Sequence, residues 1–148
     1  MTRARRLVAG GFLLLPLAAG CSEDPFDAYC EVVEEERPDL SEAVAAGSPT
    51  ALIEALRSLE ALEDAAPRDL RDEWDLVVGR VRELRDALED ADVDPAAYDA
   101  ERRPEGVSEE QDARIDAAAR QLVSGATVTA LAGIQQQARD VCGTPLTL

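Results

Sequence analysis

The sequence predicts an all-α fold, a bundle of four or five mainly antiparallel helices closed by one disulfide. Apolar residues recur at helical spacing through most of the chain after residue 24. No segment combines strand-like alternation with β-branched enrichment. The breaks between helical segments are mostly short, which favours antiparallel neighbours. Two cysteines, Cys30 and Cys142, lie near the two ends of this region.

The first helix is expected to begin at Asp24-Pro25, an N-cap followed by a proline in the first helical position. Pro38 is expected to interrupt or restart this helix, because proline lacks the amide donor of the helical ladder. Gly47-Ser48-Pro49 then ends it. Its apolar residues share one predicted buried face: Phe26, Tyr29, Cys30, Val33, Leu40 and Val44.

A second helix is predicted from Pro49 to Ala65, with one leucine-rich side formed by Leu52, Leu56, Leu59 and Leu62. Pro67 is expected to open a third helix. Apolar residues there recur in alternating steps of four and three: Leu70, Trp74, Val77, Val81, Leu84 and Leu88. Base–acid pairs four residues apart mark its outer face as solvated: Arg68–Asp72, Arg71–Asp75, Arg82–Asp86 and Arg85–Glu89.

The pattern lapses between Ala91 and Val107, which is predicted to be a loop with one short helical turn after Asp94-Pro95. Ser108 and Gln111 have the spacing of a capping box and open a further helix. Its inward residues are expected to be Ile115, Ala118, Ala119 and Leu122. Ser124-Gly125 breaks that helix. A last helix from about Thr127 to Cys142 is predicted to bury Leu131, Ile134, Ala138 and Val141.

The N-terminus has the pattern of an export signal, with Arg3, Arg5 and Arg6 preceding the apolar run Leu7–Ala19. This run is too short to span a hydrocarbon core of about 30 Å as a helix. Residues 17–21, Leu-Ala-Ala-Gly-Cys, resemble the bacterial lipobox, which implies lipidation of Cys21 and cleavage before it. An ordinary secretory signal remains an alternative, and Arg5-Arg6 leaves twin-arginine export open.

The resulting division is a lipoprotein signal peptide at 1–20, a lipidated cysteine and short tether at 21–24, and one helical domain at 25–148. Cleavage leaves 12 of the 15 basic residues against all 31 acidic ones, so the net charge changes from −16 to −19. This charge argues against binding to nucleic acid, and against anionic lipid headgroups as the main ligand. It favours cationic partners, although solubility alone would explain it.

With Cys21 assigned to the lipid, Cys30 and Cys142 are expected to pair, because disulfides persist in exported proteins. Two free thiols or a thiol active site are the alternatives. The chain contains no histidine and no lysine, so cysteine chemistry would lack its usual base. The sequence therefore predicts neither an enzyme nor a cofactor.

The segment from Asp90 to Glu101 has a partial match to a calcium-binding loop, with acids at its first, third, fifth and twelfth positions: Asp90, Asp92, Asp94 and Glu101. Pro95 replaces the glycine that the sixth position needs, because proline fixes φ near −65°. Asp94-Pro95 also fits a helical cap. No metal is therefore expected, and the four acids remain weak candidates.

Two further groups have a structural and a functional interpretation. Trp74 lies on the apolar stripe, so it is expected in the core rather than on a ligand platform. The first helix carries four close carboxylates that are interpreted as solvated surface rather than a metal site: Glu31, Glu34, Glu35 and Glu36.

Taken with the lipobox, the segments DAYCEVV, LEDAAPRDLRDEW, VDPAAYD, PEGVSEE and ARDVC resemble a family of small actinobacterial lipoproteins with no assigned activity. The resemblance implies a surface-anchored helical domain with two further cysteines, and it supplies no catalytic residues.

The expected function is a non-enzymatic protein-interaction or envelope-assembly module. It would be a monomer on the extracytoplasmic face of the cell membrane, held by the lipid on Cys21 and contacting an unknown envelope protein. A small-ligand or divalent-cation-binding lipoprotein is the alternative.

Overall fold

The computed structural model describes residues 25–46 and 50–147, which form an all-α bundle without a strand. The helices are α1 (Pro25–Ala46), α2 (Ala51–Glu54), α3 (Leu56–Ala65), α4 (Arg71–Glu89), α5 (Glu109–Leu122) and α6 (Gly125–Val141). A 3₁₀ turn at Pro95–Ala97 interrupts the loop between α4 and α5. The predicted all-α bundle closed by one disulfide is confirmed.

The number of helices exceeds the prediction because the expected second helix divides at Ala55. That residue has φ −85° and ψ 4°, and it separates the single turn of α2 from α3. The chain remains close to helical there, since the amide of Leu59 still donates to the carbonyl of Ala55 at 3.0 Å. Both pieces contact α4, so the division bends the segment without separating it from the core.

The central element is α4, which contacts α2, α3, α5 and α6. All six residues of its predicted apolar stripe are buried, and Val78 is buried beside them. The 4-3 spacing keeps these side chains along one side of the helix, so a single helix can supply the core with a continuous apolar surface. The helix begins at Arg71 rather than Pro67, because residues 68–70 form a turn in which Leu70 N–H donates to Pro67 O at 3.0 Å.

The most buried aromatic pair joins α4 to α1. Trp74 and Tyr29 both have an exposed fraction of 0%. The indole Nε1–H of Trp74 donates a hydrogen bond of 3.2 Å to the hydroxyl of Tyr29. Burial raises the pKa of the Tyr29 phenol, and the hydrogen bond from Trp74 offsets part of that effect. A buried indole N–H needs such a partner, and this contact joins α1 to α4.

The apolar interior has two parts. The larger surrounds Trp74 and receives side chains from α1, α3, α4, α6 and the C-terminal tail, where Leu146 is buried. The smaller lies at the other end of α4 and is formed by Leu84, Leu88, Tyr98, Val107, Ile115 and Ala118. The second part exists because the 91–107 loop folds back over α4 and α5 instead of extending into solvent.

Two expectations for α1 are wrong. The helix is continuous through Pro38. Pro38 and Glu34 are both exposed, so water can satisfy the Glu34 carbonyl that proline leaves without a helical donor. The predicted buried stripe ends at Leu40: Val44 is 54% exposed, and the neighbouring Ala43 packs against the core instead.

The outer face of α4 is also less solvated than expected. Arg82 crosses to α3, where its guanidinium contacts Glu60 at 2.8 Å and Glu63 at 2.7 Å instead of pairing with Asp86. These hydrogen bonds raise the pKa of Arg82. Arg85 does lie within 3.8 Å of Glu89, as the spacing predicted. Pairing between helices is possible because α3 packs alongside α4, which local spacing does not reveal.

The capping box predicted at Ser108 is present, and Ser124, predicted only as a break between helices, also caps the helix that follows it. Ser108 and Gln111 exchange side-chain and backbone hydrogen bonds at the start of α5. The hydroxyl of Ser124 accepts from the amide of Thr127, so α6 begins at Gly125, two residues earlier than predicted. Thr127 also donates from its hydroxyl to the carbonyl of Gln121 at 2.8 Å, which closes the tight connection between α5 and α6.

The buried side of α6 differs in part from the prediction. Ile134 and Ala138 are buried as expected, together with Thr127 and Ala130. Leu131 is half-buried and Val141 is 43% exposed. The helix is therefore rotated about its axis relative to the predicted apolar side.

The disulfide between Cys30 and Cys142 joins α1 to the end of α6, with the two Cα atoms 5.2 Å apart and the residues 112 positions apart in sequence. A second link lies nearby, because Arg37 on α1 donates a 2.8 Å hydrogen bond to the hydroxyl of Thr144. The first helix, the last helix and the C-terminal tail are thus connected covalently and by a hydrogen bond.

We predict that replacing Cys30 and Cys142 together by Ser lowers the free energy of unfolding by up to about 4–5 kcal/mol, because the bridge restricts a loop of about 110 residues in the unfolded chain. Urea denaturation followed by the fluorescence of Trp74 measures the change. Cys21→Ser is the control and should leave the midpoint unchanged. Equal midpoints for the double variant and the control would contradict the prediction.

We predict that Tyr29→Phe lowers the free energy of unfolding by about 1–3 kcal/mol, because it leaves the buried indole N–H without an acceptor. Tyr98→Phe is a matched control. The Tyr98 hydroxyl makes no hydrogen bond within the described residues, so its loss should change stability by less than about 0.5 kcal/mol. Urea denaturation with circular dichroism measures both, and equal losses would show that the Trp74 contact contributes nothing.

Candidate functional site

The predicted lipidation site, Cys21, and the proposed segments 1–20 and 21–24 lie outside the described residues. Within the described residues, no helix is both long and apolar enough to cross a membrane.

The structure does not assemble the calcium candidates into a metal site. Asp92 has a left-handed φ of 54° and lies in the turn that ends α4. In this turn the amide of Asp92 donates to the carbonyl of Glu89, and the amide of Val93 donates to the carbonyl of Leu88. The Asp94 carboxylate accepts from the amide of Ala96 at 2.9 Å and caps the 3₁₀ turn, as the capping alternative predicted.

The other two candidates make no contribution to a shared site either. The Asp90 carboxylate lies 4.0 Å from Arg114, and Glu101 is exposed. No three His, Cys, Asp or Glu side chains among residues 25–46 and 50–147 form a group that could hold a metal ion. Asp92 and Asp94 thus serve the turn after α4 and the cap of the 3₁₀ turn, while Asp90 and Glu101 lie on the surface.

The remaining sequence candidates fall on the core and the surface. Trp74 is enclosed in the larger apolar interior and has an exposed fraction of 0%. The carboxylates of α1 lie on its exposed side, with Glu31, Glu34 and Glu35 exposed and Glu36 half-buried.

Concave surface occurs instead around Tyr98, where two hollows adjoin. The first, of about 170 Å³, is lined by charged residues of the loop and α5, including Asp99, Arg103 and Asp112. The second, of about 390 Å³, is mainly apolar and is lined by Leu84, Tyr98, Ala100, Asp116, Ala119, Arg120, Leu122 and Val123. Both hollows share Tyr98, Ala100 and Asp116, and we call them together the Tyr98 cleft.

Tyr98 itself is only 6% exposed, and its ring belongs to the smaller apolar interior. Burial is the main cause that raises the pKa of its phenol. The negative charges of Asp116, Asp112 and Asp99 raise the pKa further, with Asp116 contributing most of the three. The phenol therefore stays protonated at neutral pH, and its hydroxyl can both donate and accept a hydrogen bond.

Three of the carboxylates near Tyr98 have an arginine within reach. Asp99 lies 2.8 Å from Arg102, Asp112 lies 3.5 Å from Arg103, and Asp116 lies 3.7 Å from Arg120. The amide of Glu101, which donates to the Asp99 carboxylate at 2.9 Å, and then the short contact with Arg102 hold the pKa of Asp99 below its usual value. Asp116 has the longest of these three contacts, so its pairing is the weakest.

A third concave surface lies between α4 and α6. This groove has a volume of about 400 Å³ and is lined by Asp72, Glu73, Leu76, Ala126, Thr129, Ala130 and Gly133. Its α6 side consists of small residues, which keep the groove open. The two carboxylates lie on its α4 side, and neither makes an ion pair within the part of the chain that the structure describes.

The α6 side of this groove belongs to an unusual stretch of sequence. Residues 121–138 contain no charged side chain, although 31% of the chain is charged. On this stretch Val123 is 72% exposed and Val128 is 57% exposed. An acidic protein thus presents one neutral, partly apolar surface, which we call the α6 face: the exposed residues of 123–133.

The uncharged run was visible in the sequence and is a signal that could have indicated the α6 face. The groove and the Tyr98 cleft could not be inferred in that way, because each combines residues from separate segments. No protein-family model matches the chain, and no curated protein or solved structure matches it at a significant level.

Proposed function

We propose that this chain is an extracytoplasmic lipoprotein, anchored to the cell membrane through Cys21, that acts as a non-enzymatic protein-interaction or envelope-assembly module. The observation that carries the proposal is the groove between α4 and α6 with the adjoining α6 face. On an otherwise strongly acidic domain, the α6 face is uncharged and partly apolar, and the groove beside it has two carboxylates, Asp72 and Glu73, on its α4 side. The lipobox, the export signal and the resemblance to small lipoproteins support the location.

The occupant of the groove is a basic amphipathic helix of an envelope protein. Grooves between two helices receive a third helix through its apolar side. Leu76, Ala130 and Gly133 provide a surface for that side, while Asp72 and Glu73 are placed to attract Arg or Lys beside it. A second copy of this chain is disfavoured, because two cleaved chains of net charge −19 repel each other.

The two kinds of contact contribute differently. Apolar burial supplies most of the affinity, at about 25 cal/mol per Å² of apolar area removed from water. Ion pairs with Asp72 and Glu73 would lie at the edge of the interface, where each is worth about 0–1 kcal/mol. They mainly accelerate association and select partners with basic residues.

We predict that Cys21→Ser releases the protein from the membrane fraction, because the thiol that would carry the lipid is absent. Fractionation of cells with immunoblotting, and mass spectrometry of the N-terminal peptide of the unsubstituted protein, measure this. The paired variant Cys30→Ser/Cys142→Ser removes the other two cysteines and should remain in the membrane fraction. Retention of Cys21→Ser in that fraction would contradict the lipid anchor.

We predict that carbodiimide treatment of intact cells joins Asp72 or Glu73 to a lysine of a partner, and that Gly133→Leu reduces the yield at least fivefold by filling the groove. This chain contains no lysine. A crosslink that involves a lysine therefore cannot join two copies of this chain. Peptide mapping by mass spectrometry identifies the joined residues.

Gly79→Leu is the matched control, because no atom lies within 4 Å of a Cβ built at either glycine and Gly79 does not line the groove. It should leave the crosslinking yield unchanged. Equal yields from Gly133→Leu and Gly79→Leu, or products that map away from the groove, would contradict the proposed surface.

A further inference from the structure

The Tyr98 cleft contains a polar group that the fold leaves without a partner. Tyr98 is more than nine-tenths buried, yet its hydroxyl makes no hydrogen bond within the described residues. Every fully enclosed polar side-chain atom in those residues has a partner. The unpaired Tyr98 hydroxyl is therefore not fully enclosed, and it retains access to the hollows that Tyr98 lines. The Tyr98 side chain packs in the smaller apolar interior, and its unpaired hydroxyl offers a directed hydrogen bond to a ligand.

The two sides of this hydroxyl differ in chemistry. One hollow is mainly apolar, with Leu84, Leu122 and Val123 in its lining. The Val123 side chain is 72% exposed. Its volume of about 390 Å³ lies within the range of about 300–1,000 Å³ that small-molecule sites occupy. The other hollow is polar. A ligand that fills both therefore has an apolar body and a polar head.

The charged residues that line the cleft determine which charge the polar head of a ligand should carry. Four carboxylates line it (Asp99, Glu101, Asp112 and Asp116) against three guanidinium groups (Arg102, Arg103 and Arg120), which leaves an excess of negative charge. Asp116 belongs to both hollows, and its contact with Arg120 at 3.7 Å is long for an ion pair. A ligand cation can therefore replace Arg120 beside Asp116 at small cost.

We propose that the Tyr98 cleft binds a small amphipathic organic cation, whose ammonium group lies between Asp116 and the Tyr98 hydroxyl and whose apolar body contacts Leu84, Leu122 and Val123. This site is separate from the groove between α4 and α6, since the two share no lining residue. The proposal goes beyond the proposed function and does not depend on it.

The test is calorimetric titration of the full lipidated chain in phosphatidylcholine nanodiscs, with empty nanodiscs as the blank. Three probes of similar shape separate charge from apolar contact: 2-phenylethylammonium, 2-phenylethanol and 3-phenylpropanoate. We expect the cation to bind at least tenfold more tightly than the alcohol, and the carboxylate to show no binding. Equal affinity for the three probes, or tighter binding of the carboxylate, would overturn the proposal.

Variants then locate the site. Asp116→Asn should weaken binding of 2-phenylethylammonium about tenfold, and Tyr98→Phe about three- to fivefold. Asp140→Asn is the control: Asp140 is an exposed acid on α6 that accepts from Gln136 and does not line the cleft, so affinity should be unchanged. Circular dichroism verifies that each variant is folded. Equal weakening by Asp116→Asn and Asp140→Asn would show binding to overall charge and overturn the proposal.

Discussion

The hydrogen bond between Trp74 and Tyr29 is the constraint on which the rest of the bundle depends. An indole enclosed at 0% exposure stabilises a core through its area, yet its N–H must be paired there. The phenol of Tyr29 provides that acceptor from 45 residues away and thereby connects α1, which packs mainly on α3 and α2, to the central helix α4. The disulfide between Cys30 and Cys142 lies one residue further along α1, so α6 is attached to the helix that this contact joins to α4.

Trp74 fills the centre of the bundle, and the concave surfaces lie at its edges. The Tyr98 cleft lies where the 91–107 loop meets the end of α4 and α5, beside the smaller apolar interior. The groove lies where α4 and α6 diverge next to small residues. Both surfaces include residues from the elements that contact α4, so the central helix that stabilises the fold also positions the candidate sites.

Charge is distributed unevenly over this scaffold. Carboxylates dominate α1, and arginines on α4 partly neutralise the acids of α3, as Arg82 does between Glu60 and Glu63. Such half-exposed pairs contribute little to stability individually, although one guanidinium bound by two carboxylates is better placed than an isolated surface pair. The α6 face is neutral, so a partner can approach it without desolvating charges, while the surrounding acids repel polyanions.

The sequence by itself determined the features that depend on residues close together in the chain. Helical spacing predicted the stripe of α4, the caps at Asp94 and Ser108 follow from short-range hydrogen bonds, and cysteine number predicted the Cys30–Cys142 pair. Only the tertiary structure decided which apolar residues remain exposed, such as Val44 and Val141, because exposure depends on which helix packs alongside. It also decided that Arg82 contacts α3 and that Tyr98 borders two hollows. These contacts join residues from separate elements, and no local pattern encodes the distance between them.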